Sequence, residues 1–456
     1  MTRVHVPVTP GPPIRSRPDL IERAGPMDLT VLVADHASIP MNLGAILLFD
    51  SAATPTPERI RSLLADRIPR IPRLRQTLRR TPFGCGRPIW VDDPGFVLND
   101  HLEVLAHPGS AAEPELFRIA TDMLCQPLPP DRPLWRAGLV ISPEHCALIV
   151  IVHHVLTDGL GGLAVLAALA DEGSVQPVRG FPQSPPSRWA MASDAARARL
   201  HTIRAMPVDI RRGFAGLREL GFSSTSLRPI ERTSLNRPTS SRRRATRVVV
   251  ELADVVATAH HADGTVNDVV LAAITGAVLD ILQARGERPR QLVISVPISG
   301  RYGADPSKLG NNTGVRPISI PAIDDDATRL IDIVAVSKAL SRSTVRASSA
   351  APLGGVFRLL HRTGLFEVFI EHQRLVHTFE TNLRGPATAL HLAGYRVAGL
   401  IPLVATPGNV GVTFAVLSYA ETLAVTVIAD PDIVTDQDRL TDALATRLER
   451  LSRTHR

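Results

Sequence analysis

Ala147-Leu-Ile-Val-Ile-Val152-His153-His154-Val-Leu-Thr-Asp158-Gly159 is the stretch whose reading decides the fold. Six apolar residues, rich in β-branched side chains, read as a fully buried strand. Two histidines stand where that strand ends. Asp158 and Gly159 follow, with Gly161 and Gly162, just before the apolar run Leu163 to Ala170. The pattern is a strand, a short turn and an aspartate N-cap opening a helix. It holds an imidazole rigidly at a strand terminus, where a neutral histidine can take a proton near pH 7. The plainer alternative makes the histidines backbone-satisfied polar residues and Asp158 only a cap. The complete H-H-x-x-x-D-G string in its strand–turn–helix setting favours chemistry.

His153 to Gly159 resembles the HHxxxDG signature of the CoA-dependent acyltransferase superfamily. Further segments resemble the bacterial wax ester synthase/diacylglycerol acyltransferase family, in that family's order. They are Met27-Asp28 with Pro40-Met41-Asn42-Leu43-Gly44 through Phe49, Arg132-Pro133-Leu134-Trp135 and Thr233-Ser-Leu-Asn236. Val266-Asn267-Asp268 through Ala272 and Pro297-Ile-Ser299-Gly-Arg301 with Leu309-Gly310-Asn311 come next. Thr381-Asn382-Leu-Arg-Gly385-Pro386 resembles the family's "SNVPGP" loop, with three departures that include Arg384. The matches run from about residue 26 to 436.

The resemblance implies an α/β (α+β sandwich) fold of two chloramphenicol-acetyltransferase-like subdomains, mixed sheets flanked by helices, with the active-site channel between them. It implies an O-acyltransferase moving a long acyl chain from acyl-CoA to a diacylglycerol or fatty alcohol hydroxyl, as in triacylglycerol or wax ester synthesis. His154 is then the general base, following the family's assignment of the second histidine. His153 packs or orients it. Asp158 has a capping role, with a direct triad-like role as the weaker alternative.

The residues agree with direct transfer. There is no G-x-S-x-G nucleophile elbow and no cysteine in the motif, so no covalent acyl-enzyme is required. A strand-end histidine lifts the alcohol's proton as it attacks the thioester, and the imidazolium protonates the departing thiolate. Gly159, Asn267, Ser299, Arg301, Asn382 and Trp135 are the candidate substrate contacts. Asn267 donates to a substrate oxygen or caps a helix. Asn382 does the same from a Gly-Pro loop or forms an Asx-turn. Ser299 and Arg301 meet a CoA phosphate or shape a strand-end turn. Trp135 fills core in preference to lining an acyl tunnel.

At 456 residues the chain exceeds the usual limit of one core, so two domains are expected. Residues 1–26 read as a disordered lead, 27–181 as a first subdomain carrying the motif, 182–246 as a crossover linker and 247–456 as a second subdomain. The formal charge of +7 comes from arginine, since Lys308 and Lys338 are the only lysines. Three tyrosines and three tryptophans are the available stacking platforms beside the phenylalanines. Neither type interleaves with the basic runs, which argues against nucleic acid. An attraction to an anionic membrane surface stays open. Cys85, Cys125 and Cys146 make no CxxC pair and no metal-ligand spacing. No metal and no cofactor beyond acyl-CoA as co-substrate is expected, in a cytoplasmic protein that is peripheral to the inner membrane face or a lipid droplet.

Arg242 to Arg244 read as a solvated linker, with a phosphate or membrane contact as the alternative. Residues 326–345 and 353–377 read as long helices. The amphipathic segment Val356 to Phe369 is a core helix or one lying on a lipid surface. Two other functions compete. One is a same-fold acyltransferase acting on a secondary metabolite or sugar lipid; the other is an inactive lipid-binding relative, against which the intact histidine pair argues.

Overall fold

The buried strand of the motif is β6 (Cys146–His153), and every residue of it is enclosed. In the computed structural model, residues 21–35, 40–50, 54–106, 113–143, 145–173, 180–200, 229–299, 311, 313–342, 360–404 and 408–453 are described. The calls on the lead before residue 21, on Arg301 and on Val356 to Leu359 lie outside these residues.

On one side β6 pairs antiparallel with β1 (Asn42–Phe49), which sets Asn42 opposite His153 and Gly44 opposite Ile151. A Cβ at Gly44 would sit 2.5 Å from both the Val150 carbonyl oxygen and Ile151 Cδ1. Only glycine lets the two backbones approach so closely here. On the other side lies β5 (Trp135–Ile141), followed by β4 (Leu102–Ala106). A short hairpin, β2 (Gln76–Arg79) and β3 (Ile89–Asp92), stands apart from this sheet. Helix α1 (Pro26–Ala34) precedes β1. Helix α2 (Pro57–Arg67) starts on Thr56, whose hydroxyl accepts the Arg59 amide, with Pro57 in the tolerated first turn. Helix α3 (Glu113–Cys125) covers one face, and α4 (Gly159–Leu169) grows from the motif itself.

The first sheet is completed from far along the chain. β12 (Tyr395–Val404) pairs antiparallel with β1 from Leu43↔Val404 to Phe49↔Val397, and β11 (His391–Leu392) edges it. The sheet order is β11-β12-β1-β6-β5-β4. Residues 391–404 therefore cross the expected boundary at 247 and belong to the first sheet. The second sheet runs β7-β14-β13-β10-β8-β9. Its strands are β7 (Arg244–Glu251), β8 (Gln291–Ser299), β9 (Thr313–Pro321), β10 (Thr378–Arg384), β13 (Val412–Tyr419) and β14 (Thr422–Ala429).

Three apolar layers result. Ile46, Ile149, Ile151, Phe117, Leu403, Ala415 and Ile428 form one cluster that joins the first sheet, α3 and the second sheet. The first sheet's other face packs with Leu64, Val165 and Leu166. The second sheet's other face is covered by α6 (Leu252–His261), α7 (Val266–Ala284) and α8 (Asp326–Arg342). The C-terminal helix (Gln437–Arg453) inserts Leu440, Leu444, Leu448 and Leu451 into the same layer, as their spacing requires. Thr265 caps α7 in a reciprocal box with Asp268. This helix is long and apolar enough to cross a membrane, yet most of it is buried in the protein.

Two readings need correction. Residues 353–377 do not form one long helix in the part described. The chain turns at Gly364 (φ 72°), a left-handed conformation suited to glycine, and only Phe366–Glu371 continues as a helix. Within the crossover, residues 188–200 are helical (α5). Arg242 to Arg244 are not a free basic run. Arg242 pairs with Asp432 at 2.5 Å and Arg244 with Asp438 at 2.7 Å, while Arg243 is buried beside Asp430.

Glu380, in the middle of β10, is 1% exposed and neither carboxylate oxygen has a hydrogen-bond partner. The β8–β10 ladder comprises only Thr378↔Ile294 and Phe379↔Ser295, so it ends just before this residue. Burial pushes the Glu380 carboxyl up to about 8, so it carries a proton at neutral pH. The folded state then binds a proton that the unfolded chain, with an ordinary carboxyl near 4.5, has released. Stability contributed by the protonated acid is complete below about pH 4.5 and is lost as pH rises through about 8. Glu380→Gln keeps the shape without the titration. Melting temperatures measured from pH 5 to pH 9 are expected to fall less steeply for this variant than for the parent, with the variant ahead at the alkaline end. Parallel curves would refute a buried, titrating Glu380.

Candidate active site

His153 is the last residue of β6 and 4% exposed. Its Nδ1 accepts the Val155 amide at 3.0 Å, and its Nε2 faces the Asp35 carboxylate at 3.0 Å. Both nitrogens are thus engaged: Nε2 carries the hydrogen that Asp35 accepts, and Nδ1 has no proton to give. The ring is locked and serves to hold the turn.

His154 begins the turn. Its amide donates to the Met41 carbonyl at 2.7 Å, anchoring the backbone to the segment that enters β1. Its Nδ1 is buried with no hydrogen-bond partner of good geometry, while the residue keeps partial exposure. Burial lowers the titration of this imidazole below the usual histidine range; His153 adds to this, while its own main-chain carbonyl, Asp158 and Asn311 oppose it. The ring is therefore neutral at pH 7, with a nitrogen lone pair to use.

Asp158 is 1% exposed, and its Oδ1 accepts the Gly161 amide at 2.9 Å as the N-cap of α4. The cap reading holds. The carboxylate also lies near enough to His154 to favour its charged form. Gly159 opens α4, and a Cβ there would lie 2.9 Å from both Leu383 methyl carbons. The end of β10 thus abuts the motif turn, which brings the second half to the site.

Asn311 makes the other link, and sequence reasoning quoted it only as part of a block. Its Nδ2 donates to Asp28 Oδ1 at 2.8 Å and to the His154 carbonyl at 2.6 Å, while its main-chain amide also donates to Asp28 at 3.1 Å. Asp28 in turn accepts the Gly25 amide at the start of α1. One amide from the second half therefore ties the histidine turn to the first helix. Its Oδ1 is buried and unpartnered, like His154 Nδ1.

Asn267 and Asn382 meet each other. Asn382 Nδ2 donates to Asn267 Oδ1 at 2.8 Å, across the gap between β10 and the first turn of α7. Two expectations change. Asn267 is not a cap, because Thr265 is; and Asn382 lies within β10, not in a Gly-Pro loop forming an Asx-turn. Ser299 ends β8 opposite Thr313 in the ladder with β9. Trp135 is a buried core residue. Its indole N–H donates to the Leu74 carbonyl at 2.8 Å, and its ring stacks on His101 with centroids 4.6 Å apart. A groove of about 870 Å³ between β4, β5 and α3 borders that tryptophan, but its lining includes neither His153 nor His154, so it is distinct from the histidine site.

Residues 25–270 match the model of the wax ester synthase/diacylglycerol acyltransferase catalytic domain, and residues 309–452 match that of the WS/DGAT C-terminal domain. A Mycobacterium tuberculosis protein named a probable diacylglycerol O-acyltransferase, tgs1, is 30% identical over 436 residues, covering 91% of each chain. The wax ester synthase/diacylglycerol acyltransferase from Marinobacter aquaeolei VT8 superposes with a TM-score of 0.65 at 20% identity, covering 95% of this chain and 100% of that one. The starter condensation domain of rhizomide synthetase shares the fold, with a TM-score of 0.61 at 16% identity over 95% of this chain and 93% of that one. With both family domains matched in order around the histidine turn, the chain belongs to the wax ester synthase/diacylglycerol acyltransferase family of acyltransferase enzymes.

Proposed function

We propose that this enzyme transfers a long acyl chain from acyl-CoA to the hydroxyl of diacylglycerol or a fatty alcohol, with His154 as general base. The observation that carries the reading is a desolvated, neutral imidazole at a strand end, with a buried Nδ1 in a residue that keeps partial exposure. The acceptor hydroxyl gives its proton to His154 Nε2 as its oxygen attacks the thioester carbonyl. Collapse of the tetrahedral adduct breaks the carbon–sulfur bond, and the imidazolium protonates the departing thiolate. Acyl-CoA is consumed as substrate, and the step uses no prosthetic group.

The remaining residues divide the support. His153 and Asp158 hold the turn, and Asn311 fixes the His154 main chain. Asn382 and Asn267 form a polar pair beside Leu383, which abuts Gly159. Enclosure matters here because water competes with the acceptor for the thioester. We further propose that the enzyme works at the surface of a membrane or lipid droplet, where such acceptors reside.

The test incubates purified protein with palmitoyl-CoA and a panel of hydroxyl acceptors, following free thiol and product ester together. Ester formation with diacylglycerol or hexadecanol is expected, with little thiol released when acceptor is left out. His154→Ala should lose about 10²–10⁴-fold in turnover, while His153→Ala retains part of it. Turnover at the parent rate in a folded His154→Ala protein would remove His154 as the base. Acylation restricted to an amine or sugar-lipid acceptor would point to the secondary-metabolite reading instead.

Capping and clamping are separable from charge. Asp158→Ala is expected to cost about 1 kcal/mol of stability, whereas Asp158→Asn keeps most of both stability and rate. Asn311→Ala strips a donor from two acceptors, at about 1–3 kcal/mol, and should lower kcat as the His154 main chain loosens. Thermal melts and turnover on the same preparations check both expectations. An Asp158→Asn enzyme of full stability but as inactive as His154→Ala would assign Asp158 a charge role.

A further inference from the structure

Most large apolar side chains among the described residues are covered, yet Phe83 is 106% exposed and Trp189 81% exposed. The two residues are far apart in sequence but belong to one small unit. Phe83 sits at the tip of the β2–β3 hairpin, and Trp189 lies in the first turn of α5. Arg23 binds the two segments together. Its guanidinium donates to the Cys85 and Arg87 carbonyls at 2.8 and 2.9 Å and to the Met191 carbonyl at 2.9 Å, and it pairs with Asp194 at 2.7 Å. Beneath it, Cys85, Ile89, Val91 and Met191 form a separate apolar cluster. The hairpin tip and the helix therefore present their side chains from one built support.

The two segments that carry these aromatics also carry exposed cations. Arg79, Arg80, Arg188 and Arg199 are exposed, and among the described residues no carboxylate pairs with them. Two acids of the unit, Glu22 and Asp194, are engaged by Arg73 and Arg23. Other aromatics of the unit are used internally: Arg73 stacks over Trp90 at 4.1 Å and Arg75 over Phe181 at 4.0 Å. Phe83 and Trp189 are left facing outward amid cations that the linear sequence scatters. Exposed aromatic rings with exposed arginines on the same two segments match the boundary between acyl chains and anionic headgroups.

We propose that the surface formed by the β2–β3 tip and α5 docks on an anionic phospholipid bilayer. Phe83 and Trp189 enter the headgroup region, and the four arginines pair with lipid phosphates. The choice of a bilayer over another polyanion rests on the proposed lipid acceptor; the surface itself rests on exposure and charge alone.

Trp189 is a built-in reporter, because the other two tryptophans, Trp90 and Trp135, are buried. The full-length protein is mixed with phosphatidylcholine vesicles, with or without phosphatidylglycerol, and both co-sedimentation and tryptophan emission are read. Binding and a blue shift are expected with the anionic vesicles, weakening as salt rises. Phe83→Ala/Trp189→Ala should lose roughly tenfold or more in partitioning. Each of Arg80→Gln and Arg188→Gln should lose about fivefold. Melting temperature and acyl transfer to detergent-dispersed diacylglycerol should stay at parent values in all of these variants. Equal binding of parent and variants, indifference to phosphatidylglycerol, or a shift produced by duplex DNA in preference to vesicles would overturn the proposal. A parent that binds anionic vesicles but transfers no acyl group would leave this surface standing and remove the proposed function.

Discussion

Strand β1 is the constraint on which the rest of the molecule depends. It is hydrogen-bonded on one side to β6, which ends in His153, and on the other to β12, which arrives from residue 395 onward. A strand with both edges paired cannot slip by one residue without turning its apolar set to the wrong face. Gly44 tightens the constraint, since any side chain there would collide with β6. Fixing β1 fixes the end of β6, and the His154 amide is then tied back to Met41 just before β1 begins. The position of the histidine turn is thus set by pairing that spans nearly the whole chain.

That arrangement explains why the site belongs to neither half alone. β12 lends the first sheet a strand from the second half, Leu383 packs on Gly159, and Asn311 holds the His154 carbonyl together with Asp28. Each contact is modest. A hydrogen bond contributes about 1 kcal/mol net, but leaving its buried partner unsatisfied costs more. Their common effect is to fix the orientation of one imidazole while excluding water from its Nδ1 side. Positioning and desolvation are what the proposed general base, taking a proton from an acceptor hydroxyl, needs from its protein.

Local features of this fold were legible in the sequence, and long-range ones were not. The apolar run before His153, the Asp158 cap and the Thr265–Asp268 box each follow from a few adjacent residues, and each forms as its pattern requires. The ordered family blocks placed Asn267 and Asn382 in the same neighbourhood, but no local rule says that one amide donates to the other across 115 positions. The same holds for Asn311, which reaches Asp28 across 283 positions and His154 across 157. The boundary at 247 failed for a related reason: β12 reads as an ordinary strand, and its alternation does not reveal which sheet it joins. The region 353–377 misled through composition, since its apolar residues suit a helix while Gly364 takes a left-handed turn.

The central claim is that His154 is held neutral, with its Nδ1 side enclosed and Nε2 free to accept a proton. Titration of isotopically labelled histidine by nuclear magnetic resonance, assigned by comparison with His154→Gln, measures this directly. The account predicts a His154 midpoint below the ordinary value of about 6.5, with the neutral ring protonated on Nδ1. A midpoint at or above that value, or a neutral ring protonated on Nε2, would contradict it.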